Sequence, residues 1–114
     1  MVNRFVVCID LNDRNLVRPF WREALGYEET TAENSSIILT DPTGKGPVVW
    51  FQPVPEKKTV KNRVHLDVSV GTATHAQNLA ARLVELGGTK LREFDDFTMM
   101  ADPEGVELRL EFEV

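Results

Sequence analysis

Apolar and polar residues alternate one by one through the middle of the chain: over 63–70, Val64, Leu66, Val68 and Val70 are separated by His65, Asp67 and Ser69. A period of two belongs to a strand with one face on a core and the other in water or a cavity. His65 and Asp67, two positions apart, project to the same side. The same period runs over 4–10, with Phe5, Val7 and Ile9 on one face and Arg4, Val6, Cys8 and Asp10 on the other. The spacing then turns helical: Leu16, Val17, Phe20, Trp21, Ala24 and Leu25 form a stripe ended by Gly26, with Asn12, Asp13 and Asn15 all competent N-caps. Pro19 fits the first turn if Asn15 is the cap, and kinks the helix if the cap is Asp13.

Three short strands are predicted at 27–31, 36–40 and 47–52, separated by Glu33-Asn34-Ser35 and Asp41-Pro42-Thr43-Gly44, both of turn composition. In the third, Val49 and Phe51 share one face while Val48, Trp50 and Gln52 share the other. Residues 53–62, with two prolines and little apolar content, read as a connector. After the strand at 63–70 comes a helix predicted over 74–86. Thr74 and Gln77 stand at capping-box spacing, Ala76, Leu79, Ala80, Leu83 and Leu86 form the buried stripe, and Gly87-Gly88 ends it. Strands at 90–93, 97–101 and 106–112 complete the pattern.

The order is a repeat. Leu25-Gly26 and Leu86-Gly87 lie 61 residues apart (86 − 25), and so do Asp41-Pro42-x-Gly44 and Asp102-Pro103-x-Gly105 (102 − 41). Each half is strand, helix and three strands, an α+β pattern. Neither half could cover its own apolar sheet face, so the two are expected to pack as one unit. The 114 residues then make a single domain, with one module at 1–53, the connector at 54–62 and the second module at 63–114.

A net charge of −5 argues against nucleic acid or an anionic membrane as the main partner, since both attract basic faces. A small solute or another protein is expected instead. Cys8 is the single cysteine, and the N-terminus lacks a basic segment followed by a long apolar run, so the expected location is the cytoplasm. No apolar stretch approaches the roughly 20 residues that span a bilayer.

PFWREALGYE near the start, VWFQPVPEKKTVKNRVHLDV in the middle and MADPEGVEL near the end give the chain its likeness. It resembles the vicinal-oxygen-chelate superfamily of glyoxalase I, bleomycin-resistance proteins and extradiol dioxygenases, above all the small bacterial glyoxalase-like domain proteins. The resemblance implies two βαβββ modules forming a curled mixed sheet around a cup, frequent dimerisation and, in the metal enzymes, a divalent ion held by His, Gln or Glu from the first and last strands of the modules. On that resemblance His65 matches the ligand of the second module's first strand, and Val6 stands where the first module's ligand would be. Arg109 stands where the last strand would carry glutamate, and Gln52 is the candidate for the remaining position. Divalent catalytic sites need about three protein ligands, which Val6 and Arg109 do not supply.

The polar strand faces carry Arg4, Cys8, Asp10, Ser69 and Glu111 together with a candidate ligand-binding set of Trp50, Gln52, His65, Asp67, Glu107 and Arg109. This face either lines a ligand cavity or is simply solvated, as one side of an antiparallel sheet commonly is. His65 is a residual metal ligand, an acid or base, a polar ligand contact, or a histidine satisfied by Asp67. Arg109 either pairs with Glu107, Glu111 or Asp67 or offers its fork to a carboxylate or phosphate. Cys8 is expected to be inert, Trp50 to be a cup wall or part of a dimer interface, and Trp21 to be core. Lys57, Lys58, Lys61 and Arg63 form a solvated basic connector, and His75 is expected to be exposed. The leading expectation is a metal-free, small-molecule-binding homodimer with no cofactor. The alternatives are a metal-dependent lyase, isomerase or oxidoreductase of glyoxalase or dioxygenase type using a divalent transition metal at a displaced site, and a structural or partner-binding domain.

Overall fold

The computed structural model describes residues 2, 4–31 and 36–113; the expected Glu33-Asn34-Ser35 turn lies outside the described residues. The chain runs β1 (Val7–Leu11), α1 (Arg14–Leu25), β2 (Glu28–Thr31), β3 (Ile37–Thr40), β4 (Val49–Pro53), β5 (Leu66–Thr72), α2 (Ala73–Glu85), β6 (Thr89–Glu93), β7 (Phe97–Ala101) and β8 (Glu107–Glu113). These make two four-stranded sheets, ordered β1-β4-β3-β2 and β5-β8-β7-β6. In each, the first strand runs parallel to the last, because the helix carries the chain back to the same end, and the remaining pairs are antiparallel. The βαβββ repeat and the α+β class expected from the sequence are both present, as two mixed sheets rather than a closed barrel.

One core joins the halves. Val17, Phe20, Trp21 and Ala24 of α1 and Ala80 and Leu83 of α2 pack with Ile37, Leu39, Val49 and Phe51 of one sheet and Met100, Leu108 and Leu110 of the other. Phe20 and Trp21 meet edge to face, with ring centroids 5.4 Å apart. Two residues expected on this face are outside it: Phe5 is 75% exposed and Val64 76% exposed. Both precede the first residue of their strands, so the alternating pattern continues beyond the part of the chain that the sheets cover.

The helix starts resolve the capping alternatives. Asp13 caps α1, accepting from the Asn15 backbone N–H at 3.0 Å, so Pro19 lies inside the helix and removes the donor that would have met the Asn15 carbonyl. Gly26, at φ 65°, ends the helix in the left-handed conformation. For α2 the cap is Thr72, whose hydroxyl accepts from the His75 backbone N–H at 3.2 Å. The expected Thr74 cap is therefore corrected: Thr74 is already in the first helical turn. Thr72→Ala is expected to lower stability by about 1 kcal/mol and Thr74→Ala by much less, measured as a shift in urea midpoint at unchanged slope.

Polar contacts between the halves converge on the turn ahead of β8. Trp21 Nε1–H donates to Asp102 Oδ2 at 2.8 Å. The other oxygen, Oδ1, accepts from the backbone of Glu104 at 2.7 Å and of Val106 at 2.9 Å. Burial pushes the Asp102 carboxyl above its ordinary value, outweighing these bonds, which act the other way. Glu104 spends both carboxylate oxygens on backbone donors just ahead of α1, Asn12 and Asp13, each at 2.7 Å. There its charge also meets the positive end of the helix dipole. The Asn12 amide in turn holds the connector carbonyls of Val54 and Glu56 at 2.9 and 2.8 Å.

Candidate functional site

The central strand of the second sheet divides its side chains by parity. Leu108 and Leu110 are fully buried in the core, so Glu107, Arg109 and Glu111 are turned to the opposite face. Strand pairing brings others beside them: Asp67 stands opposite Arg109 in β5, and Phe97 and Met99 stand opposite Glu111 and Arg109 in β7.

On this face the side chains form two sets of contacts, one centred on Arg109 and the other a Lys61–Glu107 pair. His65 Nε2 lies 3.0 Å from Asp67 Oδ1. Arg109 Nη2 donates to both Asp67 Oδ2 and Glu111 Oε2, each at 3.1 Å, and its guanidinium carbon sits 4.5 Å from the centre of the Phe97 ring. Phe97 stacks on Phe94 with centroids 4.3 Å apart. Lys61, from the connector, is ion-paired with Glu107, at 3.1 Å from Oε2. Arg109 is thus held by charge on one edge and by an aromatic ring. Its Nε–H is buried with no partner among the described residues.

A cavity of about 430 Å³ opens over β6–β8. Leu91, Phe94, Phe97 and Met99 give it an apolar wall, and Lys61, His65, Arg92, Glu107 and Arg109 give it a polar rim. A second space of about 400 Å³ follows the seam between β1 and β5 beneath the connector. It shares Lys61, His65 and Glu107 with the first and adds apolar positions such as Val7, Ile9 and Val106.

Of the six residues singled out in the sequence, four come together here: His65, Glu107 and Arg109 line the first cavity, and Asp67 lies behind them holding His65 and Arg109. Trp50 and Gln52 do not join them. Trp50 is half-buried on the other sheet between Cys8 and Ile38, and Gln52 is exposed, receiving the Cys8 thiol at 3.9 Å. Neither lines either cavity. Desolvation, and after it the Asp10 charge, raises the Cys8 thiol above its ordinary value, which keeps it protonated and a poor nucleophile. The aromatic wall was absent from the sequence reading. Alternation in β7 would have put Phe97 and Met99 on one face, whereas Leu91 and Arg92 reach the cavity together through a strand irregularity that no sequence pattern announces.

The register also tests the metal positions. The strands before the helices start at Val7 and Leu66 and the helix caps are Asp13 and Thr72; aligned on these, Val7 pairs with Val49 as Leu66 pairs with Leu108, so Val6 corresponds to His65 and Trp50 to Arg109. Gln52 corresponds to Glu111, two residues further on, because the first half has two extra residues between its Asp-Pro turn and its last strand. The four equivalent positions therefore carry Val, Trp, His and Arg. Among the described residues no group of three or more His, Cys, Asp or Glu side chains could hold a metal ion, and the one imidazole at these four positions, His65, has its Nε2 against Asp67. The side chains do not fit a divalent centre.

Two βαβββ halves on one core, with the polar faces of their last strands turned away from it, define a protein of the vicinal-oxygen-chelate superfamily. The chain belongs to the glyoxalase-like domain family, which it matches over residues 6–111. Among solved structures, a glyoxalase-related enzyme from Fulvimarina pelagi is 21% identical with a TM-score of 0.77, covering 98% of this chain and 89% of its own. A glyoxalase/bleomycin resistance protein/dioxygenase family enzyme from Burkholderia phytofirmans PsJN is 16% identical, with a TM-score of 0.76 and coverage of 96% and 97%. The fosfomycin resistance protein FosX from Listeria monocytogenes, complexed with Mn(II) and sulfate, is 12% identical, with a TM-score of 0.78 and coverage of 100% and 93%. No curated protein matches the chain.

Proposed function

We propose that this protein binds a small organic molecule in the cavity over β6–β8 and does so without a divalent metal. The observation that carries this reading is Arg109, fixed by Asp67, Glu111 and Phe97 at the rim of a cavity of about 430 Å³. That volume falls within the roughly 300–1,000 Å³ of small-molecule sites. At the last-strand position Arg109 has no lone pair to give a metal and already engages the nearby Asp67 and Glu111 carboxylates.

The Mn(II) in Listeria FosX motivates the rival reading of a metal-dependent enzyme of glyoxalase or dioxygenase type. The two differ in metal content. Protein purified without chelators or a metal-affinity tag is expected to contain far less than one equivalent of any transition metal, and a near-stoichiometric value overturns the metal-free reading.

The same reading takes the protein as a cytoplasmic homodimer. A lone free cysteine suits a reducing compartment. β2 and β6 are unpaired sheet edges, the latter exposed at all five residues, and such edges are commonly covered. A monomeric mass in light scattering at tens of micromolar would sink the dimer.

A further inference from the structure

β6 does not pair regularly with β7: Lys90 stands opposite Met100, but Arg92, not Leu91, stands opposite Met99. A bulge of this kind inserts one residue and re-aims its neighbours. Here it allows two successive side chains, Leu91 and Arg92, to reach the same cavity, where a regular strand would send one of them to the opposite face.

The bulge brings an unneutralised charge. Every other full cation on the rim has a carboxylate: Lys61 has Glu107, and Arg109 has Asp67 and Glu111. Arg92 has none among the described residues. Its guanidinium carbon lies 5.8 Å from the centre of the Phe94 ring, which leaves its N–H donors free. Around it the apolar wall is open, with Leu91 49% and Phe94 43% exposed. One unpaired planar cation beside uncovered apolar surface is complementary to a single planar anion attached to an apolar body. Building on the small-molecule reading of this cavity, we infer that its ligand is an organic monocarboxylate with an apolar body, the carboxylate received by Arg92 and the body laid against Leu91 and Phe94.

Three probes of matched shape test this: 3-phenylpropionate, its neutral amide and the cationic 3-phenylpropylamine, titrated calorimetrically into wild type, Arg92→Gln and Arg92→Lys. Arg92 is exposed and has no polar partner, so both variants are expected to fold, as thermal unfolding will verify. The carboxylate is expected to bind wild type about tenfold or more tightly than the amide, the scale of one charge-assisted hydrogen bond, with the amine weakest. Arg92→Gln should abolish that preference, bringing carboxylate affinity down to that of the amide, and Arg92→Lys should keep part of it, having the charge without the fork. Equal binding of carboxylate and amide, or a preference that survives Arg92→Gln, overturns the carboxylate inference and leaves the small-molecule reading standing. If none of the three binds and no amide resonance of Phe94, Phe97 or Met99 shifts, the small-molecule reading falls and the inference with it.

Discussion

Asp102→Ala is expected to lower the unfolding free energy by about 3 kcal/mol, because it strands a buried indole N–H and two turn N–H groups, each a donor whose loss of partner costs roughly 1–3 kcal/mol with incomplete additivity. The carboxylate links the halves: Trp21 comes from α1 of the first, and Glu104 and Val106 from the turn before β8 of the second. Asp102→Asn should cost less, since its carbonyl can still accept from the turn while its amide would face the Trp21 N–H donor to donor. The pH dependence distinguishes burial from simple pairing. Because burial raises the folded carboxyl above 3.8, the folded chain binds a proton more readily than the unfolded one. The contribution of Asp102 is thus largest below that value and declines as pH rises through the window above it, opposite to the usual paired aspartate. Urea midpoints of wild type and Asp102→Asn across the acid range should converge as pH rises. A gap that widens with pH would contradict the assignment.

Val6→His and Arg109→Glu together are expected to create a site that the wild type lacks. With His65 they supply two imidazoles and a carboxylate, a donor set suited to Ni²⁺ or Zn²⁺. Without metal the double variant should be less stable than wild type, since the new glutamate would stand among Asp67 and Glu111, both of which now contact Arg109 at 3.1 Å. A metal that binds only the native state raises its stability by mass action, about 2.7 kcal/mol at a hundredfold excess over the dissociation constant. Each single variant is one ligand short and should gain much less, and wild type should show almost no metal-dependent shift in thermal unfolding. Tight binding by wild type, or a folded double variant that gains nothing, would disprove the correspondence of Val6 with His65 and of Arg109 with the last-strand ligand position.

The amino-acid sequence determined the repeat, the strand and helix order and which face of each strand meets the core, because these depend on local periodicity: Val49 and Phe51, or Leu108 and Leu110, select their side by parity alone. It also brought His65, Asp67, Glu107 and Arg109 into view, since alternation puts them on one face and the Asp-Pro turns align the halves. Local pattern misjudged contacts whose energy is nonlocal. Thr72 displaced Thr74 as a cap because the path of β5 into α2 decides which threonine is extended, and Phe5 and Val64 lie outside the core because sheet pairing starts beyond them. Trp50 and Gln52 look equivalent to the second-half residues in a list of strand faces, yet they sit on the other sheet, away from the cavity. Only the tertiary structure paired Arg109 with Asp67 and Glu111 and placed it on Phe97. Only the bulge in β6, a feature of how two strands register against each other, brought Arg92 to the rim with its charge unanswered among the described residues.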